Sequence, residues 1–417
     1  MVNEMKSIAV VGGGAGGLIF ANTMAKEMSD DIRSGRLKIR IFDGSVYHEF
    51  QPGYLSVAFK GKNPATMRKY LSELVLPDVE LIPENCSRVD IDNKYVVTEK
   101  TGKKFGFDEV IIATGSRPDY SQIPGLSQAN HDFHTSASAS AELFKRLEKI
   151  RWGRIVTGIA GLPYKCPPSP NESAFLLEEY FVRKKLRKDV KITFITPFLR
   201  SYSNETVNSV IEPMLKERNI EIITGFNLES VDPEKELLTS MEGESVPYDT
   251  LLLVPPHSGA PIFKGVEYAD EDGWIKTDKY DLHVADYENA FAIGDATDLP
   301  ISKAGVEAHL EAVVVAKNMI SQMQGTGERY EFTGRLQCSM ETGYHQATFV
   351  IGTYDRPIER IQPSLYNYFQ KKLMERIYWA SLKGGYEWLF KWHFGEDYYR
   401  KSGKEKPPMQ TPKVQNV

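Results

Sequence analysis

Cys166 and Cys338 stand where thiol chemistry could be supported. Cys166 lies in Lys165-Cys166-Pro167-Pro168-Ser169-Pro170, at the mouth of a predicted helix over 171–186. A lysine neighbour and a helix N-terminus both favour a thiolate, so an activated thiol is expected there. Cys338 lies in Cys338-Ser339-Met340-Glu341-Thr342-Gly343-Tyr344. The two are far too distant in sequence to form a CxxC, so only the fold could bring them together. Cys86, in Glu84-Asn85-Cys86-Ser87, opens an apparent strand away from every motif and reads as a bystander. Three cysteines do not make a secreted disulfide framework, and a bond between two of them reads as catalytic rather than structural.

A second kind of chemistry is written in Gly12-Gly13-Gly14-Ala15-Gly16-Gly17. Gly12, Gly14 and Gly17 have the GxGxxG spacing, after an apolar strand (7–11) and before a helix (14–28). Gly12 permits the tight turn, Gly14 lets backbone approach a pyrophosphate, and Gly17 lets helix and strand pack closely. Asp43 ends the next strand, 38–42, where a carboxylate can accept ribose hydroxyls. The polar stretch 29–36 lengthens the gap between them. These residues predict a dinucleotide site.

The elements that must carry these groups follow the pattern of an α/β protein. Strands are expected at 79–92, 95–99 and 109–113, with a crossing into a second domain at 117–123. A second βαβ-like unit starts at 154–158 and continues through the helix 171–186 to a strand at 191–196. Strands at 250–255 and 290–293 and a helix at 304–323 complete it. This second unit carries a damaged copy of the glycine motif, Gly158-Ile159-Ala160-Gly161-Leu162-Pro163-Tyr164-Lys165-Cys166-Pro167-Pro168. Its third glycine is missing, three prolines interrupt the helix start, and the following strand ends in Thr196-Pro197 with no acidic residue. NAD(P)H is therefore not the expected electron donor.

The 417 residues imply two or three domains. A net charge of -5 gives no case for nucleic acid. No apolar run is long enough to span a bilayer, and residues 1–10 do not read as a signal peptide, so a cytoplasmic-facing protein is expected. Nothing in the chain reads as a metal site. From 363 to 395 the composition turns aromatic and basic. Leu365, Phe369, Leu373 and Ile377 follow helical spacing, with Lys371, Lys372 and Arg376 elsewhere on the helix. Tyr386, Trp388, Leu389, Phe390, Trp392 and Phe394 follow, and Trp379, Trp388 and Trp392 are three of the chain's five tryptophans. This predicts an interfacial element lying on a membrane surface. A helix packed on the core or a dimer interface would show the same pattern. The polar segment 401–417 is expected to be disordered.

Two further segments carry a family resemblance. Ala113-Thr114-Gly115 with Arg117-Pro118, and Phe291-Ala292-Ile293-Gly294-Asp295-Ala296, resemble the later motifs of two-dinucleotide-fold flavoproteins. That resemblance implies FAD as cofactor, with Thr114, Gly115, Gly294 and Asp295 joining Gly12, Gly14, Gly17 and Asp43. The stretches around KCPPSP, GDATDLPISKAG and CSMETGY resemble the sulfide:quinone oxidoreductases and their relative flavocytochrome c sulfide dehydrogenase, from Ser7 to about Gly395. In that family sulfide attacks a bridged cysteine pair, one cysteine keeps the new sulfur, and the other passes two electrons to the flavin. The resemblance implies that Cys166 and Cys338 are this pair and that Glu172 handles protons, although Glu172 reads equally well as a surface helix glutamate. It places Lys303, Ala304 and Gly305 against the flavin ring and Lys383 near the quinone end. The segment 131–138 lacks the third cysteine some members carry, though His134 remains as a proton carrier or a plain loop histidine.

The expected architecture is two Rossmann-like domains in tandem with a C-terminal amphipathic membrane-surface region. The FAD domain comprises 1–117 and 284–330, the degenerate second domain 118–283, and the C-terminal redox-cysteine and anchoring region 331–400. The expected function is oxidation of sulfide with reduction of a membrane quinone, on the cytoplasmic face of the cell membrane, by a peripheral protein. Homo-oligomerisation is left open. The rivals are a type II NADH:quinone oxidoreductase, a soluble sulfide dehydrogenase feeding a cytochrome, and a low-turnover flavin-bound redox sensor.

Overall fold

The computed structural model describes residues 5–385, 388–389 and 398–402. Two parallel sheets organise it. In the first, the apolar strand Lys6–Val11 is central, between Leu37–Phe42 and Glu109–Ile112. Glu80–Ile82 and Ala290–Ala292 extend the two sides. Continuous apolar runs suit a sheet buried on both faces. The helices Ala15–Glu27 and Gly305–Gln324 pack side by side on this sheet, so residues before 43 and after 304 share one core.

The second sheet has the order Glu221–Ile223, Val190–Ile195, Gly153–Ile159, Thr250–Val254, again all parallel. Its covering helix, Ser169–Arg183, is buried at every position from Ser169 to Phe181. One side meets the sheet. The antiparallel hairpin Leu336–Gly343 with Gln346–Gly352 meets the other, sending Cys338, Met340 and Val350 into the same core. The hairpin thus belongs physically to the second sheet, although it follows the first sheet's last helix in sequence.

Several boundaries differ from expectation. The stretch 79–92 is two strands, Glu80–Ile82 and Cys86–Asp90, broken around Pro83, which cannot donate to a ladder. Lys401, expected in a disordered tail, closes the strand Tyr399–Lys401, which pairs with Tyr330–Phe332. Residues 403–417, and Tyr386, Phe390, Trp392 and Phe394, lie outside the described residues.

The C-terminal helix Leu365–Ser381 is capped by Ser364, whose side chain accepts from Asn367 N. Leu365, Tyr366, Phe369 and Leu373 are exposed, at 53, 63, 61 and 37%. Its buried face carries Lys371, Ile377 and Ser381. Beyond it, Trp388 is 69% exposed. No helix among the described residues is long and apolar enough to cross a membrane.

Candidate active site

The glycine loop has the geometry of a phosphate cradle. Gly12 has φ +110°, and a Cβ there would lie 2.4 Å from Ala113 O. A Cβ on Gly17 would lie 2.0 Å from Gly12 O. Neither position admits a side chain. Gly14, by contrast, has nothing nearer than 4.0 Å and leaves room for a ligand. Asp43 sits beside the loop, its Oδ2 accepting from Gly13 N at 2.7 Å and its Oδ1 from Ser45 N.

The later motifs arrive at the same place. A Cβ on Gly16 would touch Ile293 and Ala308 O, and one on Gly294 would lie 3.0 Å from the Ala308 side chain. The N-termini of the helices Ala15–Glu27 and Gly305–Gln324 are therefore neighbours, and neither has a side-chain cap. Two uncapped N-termini side by side favour a pyrophosphate. Asp295 Oδ2 accepts from Ser116 Oγ. Thr114 Oγ1 is buried with no partner among the described residues, a donor waiting for a ligand oxygen. Gly115 stands at φ +68° with open space around it. These residues fit a bound FAD.

The second βαβ unit keeps the first glycine of such a cradle, Gly158 at φ +132° with a Cβ position 2.0 Å from Ile195 O, but not the short turn that follows it. The strand Gly153–Ile159 and the helix Ser169–Arg183 are separated by the long loop 160–168, where a nucleotide-binding turn would be short. Cys166 sits at the end of this loop with φ +56°. Its amide donates to Lys303 O at 2.8 Å, and its carbonyl accepts from Ser169 N. Lys303 Nζ bonds Thr297 O and lies 4.2 Å from the centre of the Trp274 ring. Cys166, Lys303, Ala304 and Gly305 therefore meet in one place, with Lys303 held by its surroundings rather than solvated.

Cys338 approaches from the hairpin. Its Sγ lies 3.6 Å from Glu307 Oε1 and 3.9 Å from Oε2. Cys166 and Cys338 are unbonded, and Cys166 lies near enough to raise the Cys338 thiol. The expected activation of Cys166 is not found. Burial pushes its thiol up to about 12 and Glu172 adds to this, outweighing Lys371, the Ser169 amide and Lys165. Burial of the thiol, on a half-buried residue, outweighs the helix N-terminus and the lysine that the sequence put beside it. Cys338 is raised well above its ordinary value, again by burial first and then by Glu307. Cys86 is buried among apolar side chains of the first domain, and burial pushes it up to about 12.

Glu172 is not a surface helix residue. It is 2% exposed, and its Oε1 accepts from Glu341 N at 2.7 Å and from Lys371 Nζ at 2.5 Å. Glu341, also buried, pairs with Lys60, Lys371 and Lys372. Burial would raise Glu341, but Lys371, Lys60 and Lys372 together hold it below the usual carboxylate range. Burial opposes the charge on Lys371, yet Glu172, Glu341 and Glu375 raise it above its ordinary value. This network joins the Cys166 helix, the Cys338 hairpin and the C-terminal helix.

That C-terminal helix also reaches the glycine loop. His48 bridges Gly13 O (3.2 Å) and Tyr378 OH (2.7 Å), and Asn22 Nδ2 donates to Leu382 O at 2.7 Å. Lys383 is exposed on the turn that follows. His134 is a loop histidine but a buried one. Burial, then Lys165 and His257, hold it well below the ordinary value.

Sequence reasoning missed Glu307, Glu311, Glu341, Lys371 and His48. Glu307 and Glu311 left a signal: two carboxylates one turn apart in the otherwise apolar GVEAHLEAVVVA repel each other, an arrangement that costs stability unless it is used.

The chain is similar over most of its length to several known proteins. The pyridine nucleotide-disulphide oxidoreductase family model matches residues 6–162. The mitochondrial sulfide:quinone oxidoreductase of Mus musculus is 25% identical over 91% of this chain and 86% of its own length. The sulfide-quinone reductase of Aquifex aeolicus is 23% identical over 91% of this chain and 92% of its own. The crystal structure of the Aquifex aeolicus sulfide:quinone oxidoreductase superposes with a TM-score of 0.83 at 22% identity, covering 97% of this chain and 99% of that one. The Plasmodium falciparum NDH2 structure with NADH gives 0.71 at 13% identity, over 94% and 98%.

Proposed function

We propose that this chain, a homologue of the sulfide:quinone oxidoreductases with FAD as its cofactor, oxidises sulfide through Cys166 and Cys338 and reduces a quinone. The observation that carries the reading is the loop 160–168. Where a second nucleotide would bind, the chain has placed Cys166 against Lys303 and the start of the helix Gly305–Gln324. That same loop argues against an NADH-driven reading, even though the fold is shared with NDH2.

The roles divide by charge. Sulfide adds to Cys338, which keeps the new sulfur, and Cys166 leaves as thiolate. Lys371, the Ser169 amide and Lys165 favour the anion on Cys166, against burial and Glu172, whereas among the described residues no cation offsets the carboxylate at Cys338. Glu307 beside Cys338 disfavours the anion there. Bound FAD supplies the two-electron acceptor between this thiol chemistry and the quinone. Lys303, held near the flavin's expected position, supplies positive charge. The exposed row Leu365, Phe369 and Leu373 supports docking on a lipid surface as a peripheral protein, with Lys383 at the quinone side.

FAD-loaded protein given sulfide and a short-chain quinone should turn over. Cys166→Ser and Cys338→Ser should each abolish turnover while retaining the flavin. Undiminished rates in both variants would defeat the cysteine mechanism.

A further inference from the structure

We propose that Glu307 is the proton acceptor at the sulfur-receiving cysteine, taking the proton from the terminal sulfur that sulfide leaves on Cys338. This deepens, and rests on, the sulfide-oxidising reading above.

Two carboxylates near the cysteines compete for the role, and their surroundings separate them. Glu172 is spent. One of its oxygens is shared by the Glu341 amide and the Lys371 ammonium. A carboxylate oxygen already accepting from two donors has no lone pair left for a third proton. Glu307 occupies the first turn of the helix Gly305–Gln324 and is 1% exposed. Its Oε1 accepts from Gln337 N at 3.2 Å and lies 3.6 Å from Cys338 Sγ, with Oε2 at 3.9 Å. It therefore touches the reacting sulfur itself.

The groups around Glu307 suit a carboxyl that gains and loses a proton near neutrality. Asp295 faces it from the turn Gly294–Ala296 and Glu311 from its own helix. Tyr202 senses its charge, and Cys338 faces it from the hairpin with Cys166 and Ser302 close to that thiol. Burial pushes Glu307 up to about 8, and the hydrogen bonds from its own amide, Gln337 and Cys338 pull it back only in part. A general base poised there both accepts and releases protons efficiently.

The step balances. The hydrosulfide ion gives an electron pair to Cys338 Sγ, and a new S–S bond forms. The step starts from the oxidised pair, which electron transfer through FAD to quinone restores at each turnover: the Cys166–Cys338 bond breaks, and its pair leaves on Cys166 as thiolate. The disulfide is reduced and the sulfide sulfur is oxidised to the persulfide level. The proton on the terminal sulfur passes to the Glu307 carboxylate, leaving a persulfide anion ready for a sulfur acceptor.

The test is anaerobic rapid mixing of FAD-loaded protein with sulfide from mildly acid to mildly alkaline pH, comparing wild type with Glu307→Gln. Flavin reduction should slow by about 10²–10⁴-fold in the variant. The ratio of the two rates should rise with pH, since the ionisation of sulfide is common to both. Equal rates with parallel pH profiles overturn the proposal. If the glutamine variant does not hold FAD, Glu307→Asp retracts the carboxyl by one methylene. An intermediate rate that still rises with pH supports the role, and a wild-type rate overturns it. A second readout does not depend on sulfide. In reduced Cys86→Ser/Cys166→Ser protein, the thiolate absorbance of Cys338 should titrate at lower pH once Glu307→Gln is added, and an unmoved titration overturns the proposal. Wild-type protein that sulfide fails to reduce would instead count against the sulfide reading, with the Cys338 titration still deciding whether Glu307 governs that thiol.

Discussion

Lys371 Nζ meets Glu172 Oε1 at 2.5 Å, with both side chains buried, and so ties the C-terminal helix to the helix that Cys166 opens. The contact reverses the usual sense of an amphipathic helix. The lysine points into the protein, while Leu365, Phe369 and Leu373 point out of it. One helix therefore brings a buried lysine close enough to act on Cys166 and presents an apolar row on its other side.

Removing one partner of this pair leaves the other charged and buried. Lys371→Ala should lower stability by about 3–5 kcal/mol. Glu172→Gln combined with Lys371→Met should cost less than the sum of the two single changes. Thermal scans of the FAD-loaded variants check this, and strict additivity would show that the pair is not coupled.

The network also fixes where pH acts. The folded value of Glu341 is lowered, so its contribution is present above the ordinary glutamate value, about 4.3, and is lost as pH falls through the depressed folded one. The folded value of Lys371 is raised, so its contribution is fully present below the ordinary lysine value, about 10.4, and is lost only as pH rises through the folded one. Glu341→Gln should therefore be less stable than wild type at neutral pH, with the two converging under acid conditions. Melting curves across that range should show the gap closing, and a constant gap would contradict the linkage.

The glycine loop makes a sharper demand. Gly17→Ala would place a Cβ 2.0 Å from Gly12 O, and Gly12→Ala would add a side chain at φ +110°. Both variants should purify with less FAD than wild type. The ratio of flavin to protein absorbance measures this.

The exposed row predicts membrane behaviour. Burying a Leu or Phe side chain contributes roughly 1.5–3 kcal/mol, so Leu365→Ser/Phe369→Ser/Leu373→Ser should weaken vesicle binding by at least about tenfold. Co-sedimentation with anionic liposomes tests it. Turnover with a short-chain quinone should persist while turnover with a long-chain quinone in vesicles falls.

How much of this the residues disclosed depends on how local each cause is. The first phosphate loop was legible because Gly12, Gly14 and Gly17 answer to backbone geometry within one turn. The parallel strands were legible as apolar runs such as Ile8 to Val11. The state of Cys166 was not, because Lys165 and the helix start are local whereas the enclosure that dominates is tertiary. Lys371 was read only as part of the helix's basic set, since the periodicity of Leu365, Phe369 and Leu373 cannot say which face turns inward. Glu307 needed the hairpin to bring Cys338 across more than one element before its role could be seen.

In the proposed reaction the electrons come from sulfide and not from a pyridine nucleotide. Anaerobic FAD-loaded protein should be mixed separately with sulfide and with NADH while flavin absorbance is followed. Rapid bleaching by sulfide, lost in Cys166→Ser, with NADH leaving the spectrum unchanged, is the predicted result. Bleaching by NADH as fast as by sulfide would contradict the account.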